Sequence, residues 1–439
     1  MIERTMHMSL NDTPRGNRLH IGIYGKRNAG KSSLINALTG QDIALVSAEG
    51  GTTTDPVFKS MELHPIGPVV FIDTAGFDDE GELGKLRVER TQGVMDKTDI
   101  AIVVVDGSAK GDLIEEKRWI GQLTEKKIPI IIAANKLDVF AERLAAENCD
   151  GVSGSGDRSC AEGCSVPELF LANIRSAFGD YPIIAVSAEK GLGFGKLRKA
   201  IEAAVTEAYT EDIIREKILG EIIGEGDLAL LVMPQDIQAP KGRLILPQVQ
   251  TIRELLDRRC TTVATTADGF EKALSVLNRA PDLIITDSQC FATVYEKKPA
   301  QSALTSFSVL FAAFKGNIEK FVEGASLLDE MTEKSRVLIA EACTHVPLNE
   351  DIGRVKIPNL LRKKFGPNIE ITNVCGNDFP KTEDLKEYDL IIHCGACMFN
   401  RKHVLSRIAA AEAVGVPITN YGVVMAKMAG ILDKIEIRG

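Results

Sequence analysis

A glycine-rich octapeptide near the start of the chain restricts the possible folds more than any other feature. It runs Gly25-Lys-Arg-Asn-Ala-Gly-Lys-Ser32, between an apolar run, His20–Tyr24, and a helical stretch that ends near Gly40. Glycines at a strand-to-helix junction let backbone N–H groups surround phosphate oxygens at the positive end of the helix. The segment therefore predicts a phosphate-binding loop in a parallel α/β sheet.

Two side chains of this loop have defined tasks in nucleotide chemistry. Lys31 is placed to reach the β- and γ-phosphates, and Ser32 is placed to ligate magnesium. A glycine-rich turn without a ligand is the alternative, and the flanking strand and helix argue against it. The loop residues predicted to bind the nucleotide are Gly25, Asn28, Ala29, Gly30, Lys31, Ser32 and Ser33.

Two later segments carry the features of a γ-phosphate sensor. In Asp73-Thr-Ala-Gly76, Asp73 can hold magnesium through water, and the Gly76 N–H can face the γ-phosphate. Gly51-Thr-Thr-Thr-Asp55 lies where a first switch segment is expected, and Thr53 is the predicted second magnesium hydroxyl. Lys31, Thr53 and Gly76 are thus the predicted catalytic residues.

Guanine selectivity is predicted from a motif that follows the apolar run Ile128–Ala134. The motif is Asn135-Lys136-Leu137-Asp138. The Asp138 carboxylate can accept hydrogen bonds from guanine N1–H and from the 2-amino group, whereas adenine offers neither donor. An unmatched buried carboxylate costs a few kcal/mol, so GTP is favoured over ATP. Ser187 and Ala188 follow the next apolar run, and their backbone N–H groups would close over the base.

Composition indicates the general class of protein. A chain of 439 residues, 44% hydrophobic and 26% charged, fits a globular protein of two to four domains. Its net charge of −9 argues against a nucleic-acid or anionic-membrane partner. No export signal is evident, so the nine cysteines are expected to be reduced thiols or metal ligands in a cytoplasmic protein.

The alternation of short β-rich runs with helical stretches predicts an α/β fold. Residues 1–17 are expected to be a disordered tail, followed by a P-loop GTPase domain over 18–210 with an insertion near 148–165. Two further α/β domains with mainly parallel sheets are expected at 218–300 and 301–439. The second of these is predicted to begin with a helix over Ser302–Phe314.

A second chemistry is indicated by two cysteine–histidine segments. They are Cys343-x-His345 and His393-Cys394-x-x-Cys397, and each follows a predicted strand. Ligands collect beyond the carboxyl ends of parallel strands, so the two loops can bring the three cysteines together. Structural zinc with three thiolates and a histidine and a redox dithiol are two possibilities. The third, which we favour, is an iron–sulfur cluster with one open iron position.

The other cysteines are less informative. Cys375 also ends a predicted strand, and its position leaves it a candidate fourth ligand. The remainder are expected to be incidental in the insertion, or thiols of the core and loops, and these are Cys149, Cys160, Cys164, Cys260 and Cys290.

Residues 19–205, with five nucleotide segments in this order and spacing, resemble the translation-factor-related GTPases of the Era and MnmE type. The resemblance implies that Asn28 is a potassium ligand. Phe77 stands where Ras-like proteins carry a water-orienting glutamine. Because a phenyl ring cannot position the attacking water, we expect slow intrinsic hydrolysis unless potassium or a partner assists.

The combination of both chemistries resembles the HydF family of GTPases, which mature FeFe-hydrogenases, over nearly the whole chain. The resemblance implies a 4Fe-4S cluster on Cys343, Cys394 and Cys397, with His345 and His393 nearby or at an exchangeable position. It also implies a dimerisation domain at 218–300, an iron–sulfur domain at 301–439 and a homodimer. The implied function is a scaffold or carrier that takes a di-iron precursor, made with the radical-SAM maturases HydE and HydG, to apo-hydrogenase.

Two other functions remain open at this point. One is an Era/MnmE-type regulatory GTPase of the ribosome or tRNA, with a zinc-stabilised C-terminal domain. The acidic charge and the lack of a basic C-terminal patch weigh against RNA binding. The other is a GTPase switch that carries a purely structural metal domain, in which loss of Cys394 would unfold that domain.

Overall fold

The described residues form two compact units, Met1–Ile214 and Arg215–Gly439. They come from a computed structural model that describes residues 16, 18–39, 57–63, 66–74, 91–108, 113–149, 166–208, 217–234, 244–342, 352–376, 378–396 and 398–437. No helix within these ranges is both long enough and apolar enough to cross a bilayer.

The first unit is built on a six-stranded sheet. Its strands are β1 (Leu19–Tyr24), β2 (Val57–Leu63), β3 (Gly67–Asp73), β4 (Ile100–Asp106), β5 (Ile130–Asn135) and β6 (Ile183–Ala185). The order is β2-β3-β1-β4-β5-β6, and all neighbours are parallel except β2 and β3. Central strands such as β4 are apolar up to their last residue, Asp106, because helices cover both of their faces.

Several helices among the described residues accompany this sheet. They are α1 (Lys31–Thr39), α2 (Ile114–Glu125), α3 (Leu137–Cys149), α4 (Val166–Phe178) and α5 (Phe194–Ala208). One core joins Trp119 and Phe170 to one face of the sheet, and a second joins Leu34 and Leu197 to the other face. The predicted strand–loop–helix context of the octapeptide is confirmed, since β1 ends at Tyr24 and α1 begins at Lys31.

The second unit contains two four-stranded parallel sheets. The first holds β7 (Leu228–Val232), β8 (Thr261–Thr265), β9 (Leu283–Thr286) and β10 (Ala303–Ser306) in the order β10-β9-β7-β8. The second holds β11 (Arg336–Glu341), β12 (Glu370–Cys375), β13 (Leu390–His393) and β14 (Ile418–Asn420) in the order β12-β11-β13-β14. Counted from its own first strand, each sheet has the order second, first, third, fourth. In each sheet the second strand is therefore added on one side of the first strand, and the third and fourth strands on the other side. Ligands of such sheets bind between the first and third strands, where the strand order reverses.

Among the described residues, eight α-helices cover these two sheets. They are α6 (Leu246–Asp257), α7 (Phe270–Val276), α8 (Phe291–Lys297), α9 (Phe307–Lys315), α10 (Ile318–Ser326), α11 (Ile357–Phe365), α12 (Arg401–Ala413) and α13 (Tyr421–Met428). A single apolar core contains Leu230 and Ile284 from the first sheet and Ile339 and Ile391 from the second. The two sheets are thus packed together within one unit.

The predicted α/β class with mainly parallel sheets is confirmed, but the predicted helix at Ser302–Phe314 is wrong at its start. Residues Ala303–Ser306 are strand β10, which pairs in parallel with β9. Helix α9 begins only at Phe307, because the Ser306 hydroxyl accepts a hydrogen bond from the Val309 N–H at 3.2 Å and caps it.

Candidate functional site

The phosphate loop, Gly25–Ser32, has a backbone that few sequences can adopt. Gly25, Asn28 and Gly30 have φ angles of 151°, 60° and 93°. A Cβ atom on Gly30 would lie 2.2 Å from Asn135 Nδ2, so this position excludes any side chain. Glycine and asparagine are the residues that accept such angles most readily, which explains why this octapeptide forms this loop.

Lys31 is held against the loop that it follows. Its Nζ atom donates hydrogen bonds to the carbonyl oxygens of Gly25, at 2.9 Å, and Lys26, at 2.8 Å. The side chain is 8% exposed. A cation is therefore in place beside the N-terminus of α1, where Ser33 also lies, half-buried in the first turn. This arrangement suits an anionic phosphate chain.

Asp73 and Ser32 form the predicted magnesium-binding pair. The Ser32 hydroxyl donates a hydrogen bond of 2.6 Å to Asp73 Oδ2 at the end of β3. Burial raises the pKa of Asp73, while Ser32 and Lys31 act to lower it. Among the described residues, the buried Oδ1 atom of Asp73 has no hydrogen-bond partner. A buried carboxylate oxygen that lacks a donor is what a hydrated magnesium ion would satisfy, so these residues fit the ion.

The end of β5 ties the phosphate loop to the predicted base-binding segments. Asn135 Nδ2 donates to the Ala29 carbonyl at 2.9 Å, and the Ala188 N–H donates to Asn135 Oδ1 at 3.0 Å. Asp138 lies in the first turn of α3. Ser187 is buried, and its hydroxyl accepts a hydrogen bond from the Lys190 N–H at 3.0 Å. Asn135 thus acts as the bridge between the loops for phosphate and base.

Lys136 also occupies a left-handed conformation, with φ of 69°. Its Nζ atom forms an ion pair with Asp106 Oδ2 at 2.5 Å, at the end of β4. Burial would raise the pKa of Asp106, but hydrogen bonds from Lys136 and Ser108 bring it below its ordinary value. The pair orients the segment that leads into Asp138.

Several predicted site residues lie outside the described residues. These are Thr53, Gly76 and Phe77 of the switch segments, and Cys343, His345 and Cys397 of the cysteine set. Within the described ranges, no group of three or more histidine, cysteine or acidic residues could hold a metal. Cys394 and His393 are the two members of the predicted set that are described.

The cysteine loop, residues 394–400, joins β13 to α12. Cys394 Sγ accepts hydrogen bonds from the Ala342 N–H at 3.0 Å and the Ala396 N–H at 3.4 Å. Amide donors stabilise a thiolate, which is the form of cysteine that binds metals. Ala342 follows β11 and directly precedes Cys343 in the chain. The structure therefore brings the Cys394 sulfur to the residue next to Cys343.

His393 is fully engaged within the protein. Its Nδ1 atom lies 2.8 Å from the Cys394 carbonyl, and its Nε2 atom lies 3.0 Å from an Arg407 nitrogen. Because a guanidinium only donates, Nε2 accepts and Nδ1–H donates. Burial, helped by the charge of Arg407, lowers the pKa of His393 to about 3. The ring is thus neutral and orients the Cys394 peptide.

Sequence reasoning missed Arg407. It lies in α12, is 3% exposed, and its guanidinium stacks between the rings of Phe379 and Phe399 at 4.5 and 4.7 Å. An arginine within a helix gives no indication of its tertiary partner, so no signal in the sequence could have identified it. Its contact with His393 makes it part of the support for the cysteine loop.

A second set of contacts was not predicted from the sequence. It joins a residue before the segment that contains Cys343 to a residue after that segment. Glu341, at the end of β11, is 3% exposed and accepts hydrogen bonds from Arg354 at 3.1 Å and from the Tyr421 hydroxyl at 3.4 Å. Arg354 lies on the far side of residues 343–351. Cys375, at the end of β12, is the register partner of Glu341 and is a free, half-buried thiol.

Comparison with known protein families gives three matches in order along the chain. A 50S ribosome-binding GTPase model matches residues 20–136. A hydrogen maturase F dimerization domain model matches residues 218–316, and a hydrogen maturase F tetramerization domain model matches residues 319–437. The GTPase domain that the motifs predicted is therefore present, and the two models after it support oligomerisation.

Curated relatives match smaller parts of the chain. GTPase Der of Wolinella succinogenes is 42% identical over 125 residues, which is 28% of this chain and 26% of that protein. The tRNA modification GTPase MnmE of Moorella thermoacetica is 32% identical over 188 residues, 43% of this chain and 35% of that protein. Among solved structures, Era of Aquifex aeolicus bound to GDP and aluminium fluoride has 18% identity and a TM-score of 0.34, and covers 56% of this chain and 92% of that one. The chain spans 26 to 44% of the length of the first curated relatives.

Proposed function

This chain belongs to the hydrogen maturase F family, and we propose that it is a GTP-hydrolysing scaffold and carrier in the maturation of FeFe-hydrogenase. In this role it would hold a 4Fe-4S cluster, accept a di-iron precursor as cargo and deliver it to apo-hydrogenase. The observation that carries the proposal is the contact of the Cys394 sulfur with the Ala342 N–H, next to Cys343. Residues far apart in sequence would thereby supply two ends of one proposed cysteine site.

The nucleotide half of the proposal uses residues that the structure positions. Backbone N–H groups of the phosphate loop would bind the phosphate chain, and Lys31 would neutralise its charge. Ser32 and Asp73 would hold magnesium, and Asp138 would select guanine. Thr53 and the Gly76 N–H, which lie outside the described residues, are proposed as the switch contacts that change with the γ-phosphate.

The cluster half rests on three thiolates, those of Cys343, Cys394 and Cys397. A cluster held by three thiolates supplies an iron with an open position, to which a bridging ligand of the cargo can bind. We assign His393 to orientation of the Cys394 peptide, because both of its ring nitrogens are engaged within the protein. His345 remains the histidine proposed to lie at the exchangeable position.

Potassium is the proposed activator of GTP hydrolysis. Phe77 cannot orient water, so an additional positive charge near the phosphates would be needed in the transition state. Asn28, with its left-handed backbone in the phosphate loop, is the proposed ligand. Replacing potassium by sodium at equal ionic strength should slow GTP turnover by at least tenfold. Equal turnover in the two salts would show that Asn28 has no such role.

The proposed partners follow from the cargo. They are the radical-SAM maturases HydE and HydG, which would supply the precursor, and apo-hydrogenase, which would receive it. A homodimer through residues 218–316 is the proposed minimal assembly. We also propose a cytoplasmic location, because the expected partners handle oxygen-sensitive clusters and this requires a compartment that keeps thiols reduced.

Anaerobic purification with iron and sulfide analysis and EPR of the reduced protein tests the proposal. We expect about four irons and four sulfides per chain and a reduced 4Fe-4S signal. A colourless protein that contains zinc would refute it and favour the ribosome- or tRNA-associated alternative. That alternative is weakened by residues 218–437, which match hydrogen maturase F models.

A further inference from the structure

A charged side chain at the end of helix α9 is buried against the cysteine loop. Lys315 is the last residue of α9 and is 2% exposed. Its Nζ atom donates to the Ala396 carbonyl at 3.2 Å and to the Phe399 carbonyl at 2.7 Å. These carbonyls lie on either side of Cys397 in the chain. The ammonium thus binds the loop at two points that flank a predicted iron ligand.

The contact is reciprocal. Arg401, the first residue of α12, donates to the Phe314 carbonyl at 2.6 Å. The last carbonyls of a helix have no partner within the helix, so this bond satisfies one of them at the end of α9. The same helix end favours a cation, which Lys315 provides. The end of α9 therefore donates hydrogen bonds to the cysteine loop and accepts one from the first residue of α12, which directly follows that loop.

The charge of Lys315 would also act on a cluster bound to the cysteine loop, because the Lys315 ammonium is hydrogen-bonded to that loop. A 4Fe-4S cluster with three thiolates carries a net negative charge, which increases by one when the cluster accepts an electron. A cation held behind the loop would stabilise the reduced cluster more than the oxidised one.

We propose that Lys315 is a positioning residue for the cluster, which holds the cysteine loop in its binding shape and raises the reduction potential of the cluster through its charge. The inference rests on the proposed function, because it needs the cluster to be present. It gives a role to helix α9, which lies within the match to the dimerization domain model. That part of the chain then has a direct effect on the cluster.

Three variants separate the two parts of the inference. Lys315→Gln keeps N–H donors and removes the charge, Lys315→Met removes both, and Lys315→Arg keeps both. Each full-length variant is purified without oxygen, and its iron content is measured. The midpoint potential of the cluster is then determined by EPR during titration with dithionite, which supplies the single electron.

We expect Lys315→Gln to retain most of its iron and to shift to a more negative midpoint. The expected shift is about tenfold in the reduced-to-oxidised ratio at a fixed potential, or about 59 mV for one electron. Lys315→Met should show the same shift and lose at least half of its iron, and Lys315→Arg should restore the wild-type midpoint. Lys320→Gln, a change at an exposed lysine in α10, should leave the midpoint unchanged and serves as the matched control.

Two results would overturn the inference. A Lys315→Gln midpoint equal to that of the wild type excludes the effect of charge, even if Lys315→Met does not fold. Full iron content in Lys315→Met excludes the effect on the loop. Failure of the proposed function is distinguishable from both, because the wild-type protein itself would then carry no cluster.

Discussion

The phosphate loop and the cysteine loop both follow a parallel strand and precede a helix, yet they obtain their shapes in different ways. The phosphate loop has positive φ angles at Gly25, Asn28 and Gly30, residue types that accept them. The cysteine loop has a positive φ angle at Ala396, 50°, although alanine does not favour it. Its carbonyls are instead bound by Lys315 from α9 and by Asn420 from the end of β14.

This difference shows that a loop conformation can be encoded within the loop or imposed from outside it. In the first case, the loop should fail when its own residues change. In the second, the loop should tolerate changes within it, apart from its ligands, and should fail when a distant support is removed. Five substitutions test the contrast, from the largest expected effect to the smallest.

Under the carrier proposal, Cys394→Ser should abolish the proposed cluster while the second unit stays folded. The serine hydroxyl is a poor iron ligand, but the loop keeps its contacts with Lys315 and Asn420. Iron, sulfide and the EPR signal should fall to background, and the circular dichroism of the variant should match that of the metal-free wild type. Cys290→Ser, outside the cysteine loop, is the control and should retain its iron. Unfolding of the Cys394 variant would instead indicate a purely structural metal.

Lys31→Ala should reduce GTP turnover by about 10²- to 10³-fold, because it removes the buried cation beside the phosphates. Lys117→Ala, at an exposed position of α2, should have no effect on turnover. Under the carrier proposal, the Lys31 variant should also fail to activate apo-hydrogenase. Full activation by this variant would exclude a required role for the nucleotide.

Asp138→Asn should weaken GTP binding by about 10²-fold. The NH2 group of asparagine would face the 2-amino group of guanine, which is also a donor. One hydrogen bond is therefore lost, and two donors are brought into repulsive contact. Xanthine carries an oxygen at that position, so the variant should bind XTP better than GTP, as measured by calorimetry. Asp180→Asn on the surface should keep the preference for GTP. An unchanged preference in the Asp138 variant would place the base elsewhere.

Gly30→Ala should destabilise the phosphate loop by about 3 kcal/mol. The added methyl group would lie 2.2 Å from Asn135 Nδ2, at a φ of 93° that alanine disfavours. Thermal unfolding and GTP affinity measure the loss. Gly121→Ala in α2, where a Cβ atom meets nothing within 4 Å, should be neutral or stabilising. Equal stability of the two variants would mean that the loop is not encoded locally.

Ala396→Gly should change stability by less than about 1 kcal/mol, since relief of the left-handed alanine nearly cancels the added flexibility of glycine. Iron content should remain at the wild-type level, because Lys315 still binds the carbonyl at this position. Gly395→Ala, in open space, should be equally mild. A large loss of iron in the Ala396 variant would show that the loop depends on its own residue types after all.

The fold was predictable where an element is long or has a distinctive motif. Strands β1 and β3 to β6 of the first unit and the phosphate loop follow from apolar runs and glycine spacing. Strands β2, β10 and β14 were missed, and the last two have only four and three residues. Such short segments carry no periodicity of their own, and they become strands only because a neighbouring strand supplies their hydrogen bonds.

The candidate sites divide along the same line. Lys31, Ser32, Asp73 and Asn135 could be identified from spacing alone, and the structure brings them together at one end of the sheet. Lys315 and Arg407 could not be identified, because a charged residue in a helix does not reveal which distant group it meets.

The amino-acid sequence by itself determined the phosphate loop and the cysteine spacing, because a positive φ angle and a ligand type are properties of individual residues. Only the tertiary structure decided how the cysteine loop is supported. Its supports are a buried ammonium, a stacked guanidinium and a neutral histidine, which come from separate elements. Burial makes such contacts strong and specific, and burial exists only once the sheets have packed.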